Sequence, residues 1–195
     1  VDSSVQTYRR ISDELLPTPA KSHYTFNLRD LSKVMQGMLM VTAADCPSPD
    51  VMTRVWVHES MRVFHDRLIN FEDKDYFKKM LSELVQKNFP GGGSYEELFE
   101  DRNIIFGDFM KMGLEPEDRK YEELLEYPKM IKTMEDYLEE YNFSSPTPMN
   151  LVFFKDAAEH ATRLARIIRQ PRGNAMLVGV GGSGKQSLTR FASFM

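Results

Sequence analysis

Apolar residues recur at helical spacing through most of the first 141 positions, and then the pattern changes. Val5, Tyr8, Ser12 and Leu15 mark a short helix that Leu16-Pro17-Thr18-Pro19 closes. Leu28, Leu31, Met35, Met38 and Leu39 predict a second, with Asn27 as its N-cap. DCPSPD at 45–50 breaks the chain, and residues from about 51 to 70 predict a helix with Val55, Trp56, Val63 and Leu68 on its apolar side. Phe77, Met80, Leu81 and Leu84 make the clearest amphipathic stripe. PGGGS at 90–94 is a flexible turn, and 95–127 is mixed; within it, NIIFGDFM (103–110) reads either as a short strand or as a buried apolar segment. Met130, Met134, Tyr137, Leu138 and Tyr141 predict one more helix.

NFSSPTPMN (142–150) is a Ser/Pro-rich polar link and the best domain boundary in the chain. Beyond it LVFF (151–154) predicts a strand or extended segment. Residues 156–170 predict a helix with Ala157, Ala161, Leu164, Ala165 and Ile168 facing inward. AMLVGV (175–180) predicts a buried strand, and a further helix starts near Lys185. The expected architecture is therefore a mainly helical domain over 1–141, a linker over 142–150, and an incomplete strand–loop–helix unit of an α/β domain over 151–195. An isolated parallel strand cannot bury both faces. The C-terminal part is accordingly expected to be poorly stable, with Phe191 and Phe194 exposed.

Composition narrows the class. No apolar run approaches the ~18–20 residues of a membrane span, and VDSSVQTYRR lacks the layout of a signal peptide. Cys46 is the single cysteine, so no internal disulfide forms. These features predict a soluble intracellular chain, and its abrupt ends read as those of a cut piece. The net charge of −4 is uneven: residues 151–195 hold seven Lys/Arg against Asp156 and Glu159, so that segment carries +5 and the remaining 150 residues −9. A basic C-terminal segment suits an anionic ligand, whereas the acidic remainder argues against a nucleic-acid surface.

The anion site is legible in GVGGSGKQS at 179–187. It follows an apolar strand pattern and opens a helical one, as a P-loop requires. Gly179, Gly181, Gly182, Ser183 and Gly184 let successive backbone N–H groups turn toward phosphate oxygens, and the helix that follows points its positive end at the same anion. Lys185 would reach the terminal phosphates. A ligand-free Gly-rich turn is the plain alternative. One position departs from the pattern: a magnesium-binding Ser or Thr should follow the lysine, but Gln186 stands there, with Ser187 one step later. Direct metal coordination through Gln186 or Ser187 is therefore disfavoured, and nucleotide binding survives the change more easily than rapid hydrolysis.

Other candidates are weaker. His58-Glu59 opens like a zinc-protease helix, but Arg62 stands where the second histidine belongs, leaving His58 and His65 as ordinary helix residues. Gly91–Gly93 follow no strand, Cys46 has no activating partner in sequence, and the acidic run 115–126 reads as a solvated face.

At these residues the chain becomes recognisable. LLPTPAKSHYTFNLRDLSKVMQGML (15–39) resembles the small-domain segment that closes the third AAA+ module of dynein heavy chains. WVHESMRVFHDRLIN (56–70) and IIFGDFM (104–110) resemble the helical lid that follows, and 151–194 is similar to the opening of the fourth module. GKQS resembles the axonemal branch more than the cytoplasmic one. The resemblance implies an AAA+ P-loop NTPase fragment within an ATP-driven, minus-end-directed microtubule motor of a cilium or flagellum. It implies ATP or ADP at a regulatory site, neighbouring AAA+ modules of the same chain as partners, and microtubules and intermediate and light chains as partners of the whole motor, with no nucleic acid and no membrane. It places Leu151 and Val152 on the adenine side, and Arg29 as the sensor arginine of the preceding module; a surface ion pair is the alternative for Arg29.

Two other readings compete. In one, 1–141 is a non-catalytic interaction module and the P-loop is vestigial, which Gln186 favours. In the other the chain is a small kinase, which would place its P-loop nearer the start. Phosphoryl transfer needs metal, water-positioning group and charge stabilisers together. We expect no ATP turnover by the 195-residue chain; steady phosphate release that Lys185→Ala abolishes would refute this.

Overall fold

The computed structural model describes residues 1–101 and 103–195, which divide into two compact units, 1–104 and 105–195. The division falls within the segment that the sequence left undecided between strand and buried loop. Residues 105–141, grouped by the sequence with the N-terminal helices, pack with 151–195 instead.

The first unit is built of α1 (Asp2–Glu14), α2 (Leu28–Met38), α3 (Pro49–Val63), α4 (Phe71–Asn88) and the short α5 (Tyr95–Phe99). Asn27 caps α2 as expected, in a capping box: its side chain accepts from the backbone N–H of Asp30, whose carboxylate accepts from the Asn27 N–H. The buried face of α2 differs from the hydrophobic stripe. Asp30, Val34 and Gly37 are buried, whereas Leu28 and Leu39 are 69% and 83% exposed. Polar and steric contacts decide the rotation. Asp30 receives Arg67 Nη1 at 2.9 Å, while the rest of that guanidinium donates to the carbonyls of His23 and Thr25. Gly37 lies against the wholly buried Glu59 of α3, where a Cβ would overlap the carboxylate.

The expected helix over 51–70 ends at Val63 and is followed by a single 3₁₀ turn, His65–Arg67, from which Arg67 makes those bonds. Val55, Trp56, Val63 and Leu68 are buried as predicted, and so are Phe77, Met80, Leu81 and Leu84 of α4. Trp56 Nε1 donates to Ser4 Oγ at 2.8 Å, satisfying a buried N–H from α1. Asp73 gathers the loop before α2 by accepting from Lys21 Nζ (2.6 Å) and Tyr24 Oη (2.8 Å). Tyr24, Phe26, Phe64 and Phe77 follow one another at ring separations near 6 Å.

In the second unit, the segment 105–109 is entirely buried and holds the two-residue strand β1 (Phe106–Gly107), paired antiparallel with β2 (Glu122–Glu123). Then come α6 (Tyr127–Ser144), α7 (Lys155–Arg169) and α8 (Lys185–Phe194). Met130, Met134 and Tyr137 of α6 meet Phe153, Ala158, Ala161 and Phe191 in one core. Arg169 at the end of α7 pairs with Asp108 at 2.8 Å and also donates to the Pro116 carbonyl. Ala161 and Leu164 face inward as expected, but Ile168 is 46% exposed. The Ser/Pro link is tied, for Asn142 Nδ2 donates to the Met149 carbonyl (2.8 Å) and Asn142 Oδ1 accepts from the Met149 N–H (2.7 Å).

Two expectations are corrected. Residues 175–180 form no strand, and Met176, Val178 and Val180 are 88%, 84% and 79% exposed. Among the described residues no strand runs beside this segment, so its backbone has no ladder to join and its apolar face no cover. Conversely, Phe191 is buried rather than exposed, because Phe153 packs on it at a ring separation of 4.8 Å, and Phe194 lies edge-on to Tyr141. No described helix is long and apolar enough to cross a membrane.

Gly37→Ala is expected to destabilise the fold by about 1–2 kcal/mol, because overpacking at a buried carboxylate outweighs the helix propensity that alanine gains; urea unfolding checks it. Burial pushes the His65 imidazole below its ordinary value, against a smaller upward pull from Asp66. Below about pH 6.5 the unfolded chain then binds more protons than the folded one, so stability is lost as pH falls. His65→Leu should flatten that loss when unfolding midpoints at about pH 7 and about pH 5 are compared.

Candidate functional site

The site lies wholly in the second unit, and the sequence around Gly184 dictates its shape. Gly182 and Gly184 have φ of +78° and +75°, a region that residues with a Cβ avoid. Gly184 is the N-cap of α8, so no side chain satisfies the first N–H groups of that helix, and its first turn holds no acidic residue. The loop therefore presents unpaired donors and the positive end of a helix dipole at one point. Gly179 approaches closely as well, since a Cβ there would lie 3.1 Å from Ser183 Oγ.

Lys185 folds back over this loop. Its Nζ donates to the carbonyls of Gly179 (2.9 Å) and Val180 (2.7 Å) and to Ser183 Oγ (3.0 Å). These acceptors are neutral and the site is open to solvent, so an anion entering the loop would compete for the ammonium on favourable terms. Gln186 is exposed and Ser187 half-buried on the first turn of α8.

A cavity of about 300 Å³ adjoins the loop. One wall is the extended segment 151–154 with the start of α7, including Leu151, Val152 and Asp156; the other is Ser183, Gly184 and Leu188. The structure thus brings Leu151 and Val152 to the same cavity as Ser183 and Gly184, while Gly179, Gly181, Gly182, Lys185, Gln186 and Ser187 do not line it. The clamp is Phe153, whose buried ring holds 151–154 against Phe191 of α8. Arg29 belongs to the other unit. It is exposed on the first turn of α2, and its guanidinium has no ion-pair partner among the described residues.

Sequence reasoning missed Asp156, His160 and Leu188 as cavity residues. The signal for the first two was available, because the start of a helix directly after an extended segment must border whatever that segment borders. A second cavity, of about 320 Å³, lies in the first unit beside Gly91–Gly93. Its walls carry Asp50, Glu97 and Asp101 against Arg54, a poor environment for a phosphate. His58, set aside as a metal ligand, is buried with Nδ1 2.9 Å from the Ile104 carbonyl.

Comparison with known proteins matches the two ends of the chain to two family models. Residues 1–95 match the family model of an AAA+ lid domain, and residues 149–195 match that of the P-loop containing dynein motor region D4. Human dynein axonemal heavy chain 6 is 52% identical over 193 residues, which is 99% of this chain and 5% of the relative. Mouse dynein axonemal heavy chain 1 is 46% identical across the whole chain, and rat dynein axonemal heavy chain 12 is 44% identical. The chain spans only 4% and 7% of those two.

Proposed function

The chain belongs to the axonemal dynein heavy-chain family, and on that premise we propose that it supplies a nucleotide-binding, regulatory AAA+ site to an ATP-driven, minus-end-directed microtubule motor of cilia or flagella. The observation that carries the reading is the shared cavity, whose walls are the adenine-side candidates Leu151 and Val152 and the phosphate-loop residues Ser183 and Gly184. Gly181 adds to it. That residue has no left-handed backbone and nothing within 4 Å of where a Cβ would stand, so the fold of the loop gives no reason for a glycine. A phosphate seated on the backbone supplies one.

In this reading Gly179, Gly181, Gly182, Ser183, Gly184 and Lys185 hold the phosphates of ATP or ADP, with Gln186 and Ser187 completing the first turn of α8. Of the expected 1–141 lid, residues 1–104 serve as the lid of the third module, in which Arg29 is the sensor arginine, while 142–150 is the linker and 151–195, packed with 105–141, the opening of the fourth module. Neighbouring modules of the same heavy chain are the direct partners, and microtubules and the intermediate and light chains are partners of the whole motor. Nucleotide regulates by binding one arrangement of the modules better than another. The competing reading, a helical interaction module with a vestigial P-loop, draws on the bonds that Lys185 makes to its own loop.

The test is binding of a fluorescent ADP analogue to the 195-residue chain. We expect saturable binding that Lys185→Ala weakens roughly 10–100-fold, the value of one lost charge-assisted hydrogen bond. No saturable binding, or binding indifferent to Lys185→Ala, would favour the interaction module.

A further inference from the structure

A P-loop implies a magnesium ion beside the terminal phosphates, held in part by the hydroxyl that follows the lysine. The residues at that place do not fit one. Gln186 carries its oxygen farther from the backbone than serine or threonine would, on a side chain exposed to solvent. Ser187 stands about 100° round the helix from Gln186. The Ser183 hydroxyl is engaged by Lys185 at 3.0 Å. Magnesium demands near-ideal octahedral geometry at about 2.0–2.1 Å, which a long mobile amide serves poorly. The ionisable side chains on the cavity wall are Asp156 and His160.

We infer that this site takes a metal-free nucleoside diphosphate in preference to a magnesium nucleoside triphosphate, and that Gln186 sets the preference. The inference rests on the nucleotide reading above. Without a metal, the positive charge at the loop is the Lys185 ammonium plus the N-terminus of α8, the latter equivalent to roughly half a charge. Of the other cations on α7, Arg163 pairs with Glu159 (3.3 Å) and Arg169 with Asp108 (2.8 Å), while Lys155 stands exposed beside the cavity-wall residues Phe154 and Asp156. A γ-phosphate adds negative charge with only the exposed, solvent-screened Lys155 beyond these to meet it, and the Asp156 carboxylate on the cavity wall opposes it. A diphosphate carries less charge and matches the donors present.

The experiment titrates the 195-residue chain with fluorescent ADP and ATP analogues, each in magnesium and in EDTA, for wild type, Gln186→Thr and Gln186→Ser. Circular dichroism checks the fold of both variants. For wild type we expect ADP affinity to differ by less than about threefold between the two buffers, and ATP in EDTA to bind at least about tenfold more weakly than ADP. Either hydroxyl variant should make ATP binding magnesium-dependent by about tenfold. A wild-type ADP affinity that falls tenfold or more in EDTA, ATP binding as tight as ADP without metal, or folded variants that behave as wild type would each overturn the inference while leaving the nucleotide reading intact. Failure of wild type to bind either nucleotide in both buffers would overturn the nucleotide reading, and this inference with it.

Discussion

The rings of Phe153 and Phe191 meet at 4.8 Å, and the candidate site depends on that contact. Phe153 lies in an extended segment with no ladder partner, and Phe191 lies on the helix that the P-loop opens. Neither element is anchored by backbone pairing to a sheet, so burial of the two rings sets the separation of the cavity walls. Apolar burial of a ring contributes roughly 1.5–3 kcal/mol, enough to hold a short segment in place. The flanking side chains are left for other uses: Val152 and Phe154 are 75% and 63% exposed on either side of the buried Phe153.

The first unit is organised differently, by polar groups placed inside an apolar frame. Asp30, Glu59 and His58 are all buried, and the helix faces turn to accommodate them. Buried polar groups must be partnered, and their partners come from distant parts of the chain: Arg67 for Asp30, the Ile104 carbonyl for His58, Ser4 for Trp56. Such contacts specify one packing among many that hydrophobic burial alone would tolerate. A lid built this way has a defined shape.

The sequence carried the helices well and their faces less well. The stripe Phe77, Met80, Leu81, Leu84 is legible because its burial is purely apolar, and Asn27 is legible because capping is local. The face of α2 is not, since Asp30 and Gly37 owe their burial to Arg67 and Glu59, and no periodicity announces a distant ion pair or a close helix crossing. The turn at 181–184 and the helix start at Lys185 are legible, because glycine and lysine at fixed spacing are local chemistry. The segment 175–180 looks like a buried strand because its composition answers to neighbours that a strand needs, and composition does not say whether they stand beside it. The burial of Phe191 escaped for the complementary reason, since its cover comes from Phe153 across the whole of α7.

The clasp between Asn142 and Met149 bears on the energetics of binding. Its two opposed hydrogen bonds close the Ser/Pro link on itself immediately before Leu151. Ordering a residue's backbone costs about 1–2 kcal/mol, and in a free tether that cost would fall on the ligand when it first fixed the cavity wall. Here the chain entering the wall is already ordered by folding. The cavity wall at 151–154 is therefore preorganised, and whatever binds there meets a surface whose entropy has been spent in advance.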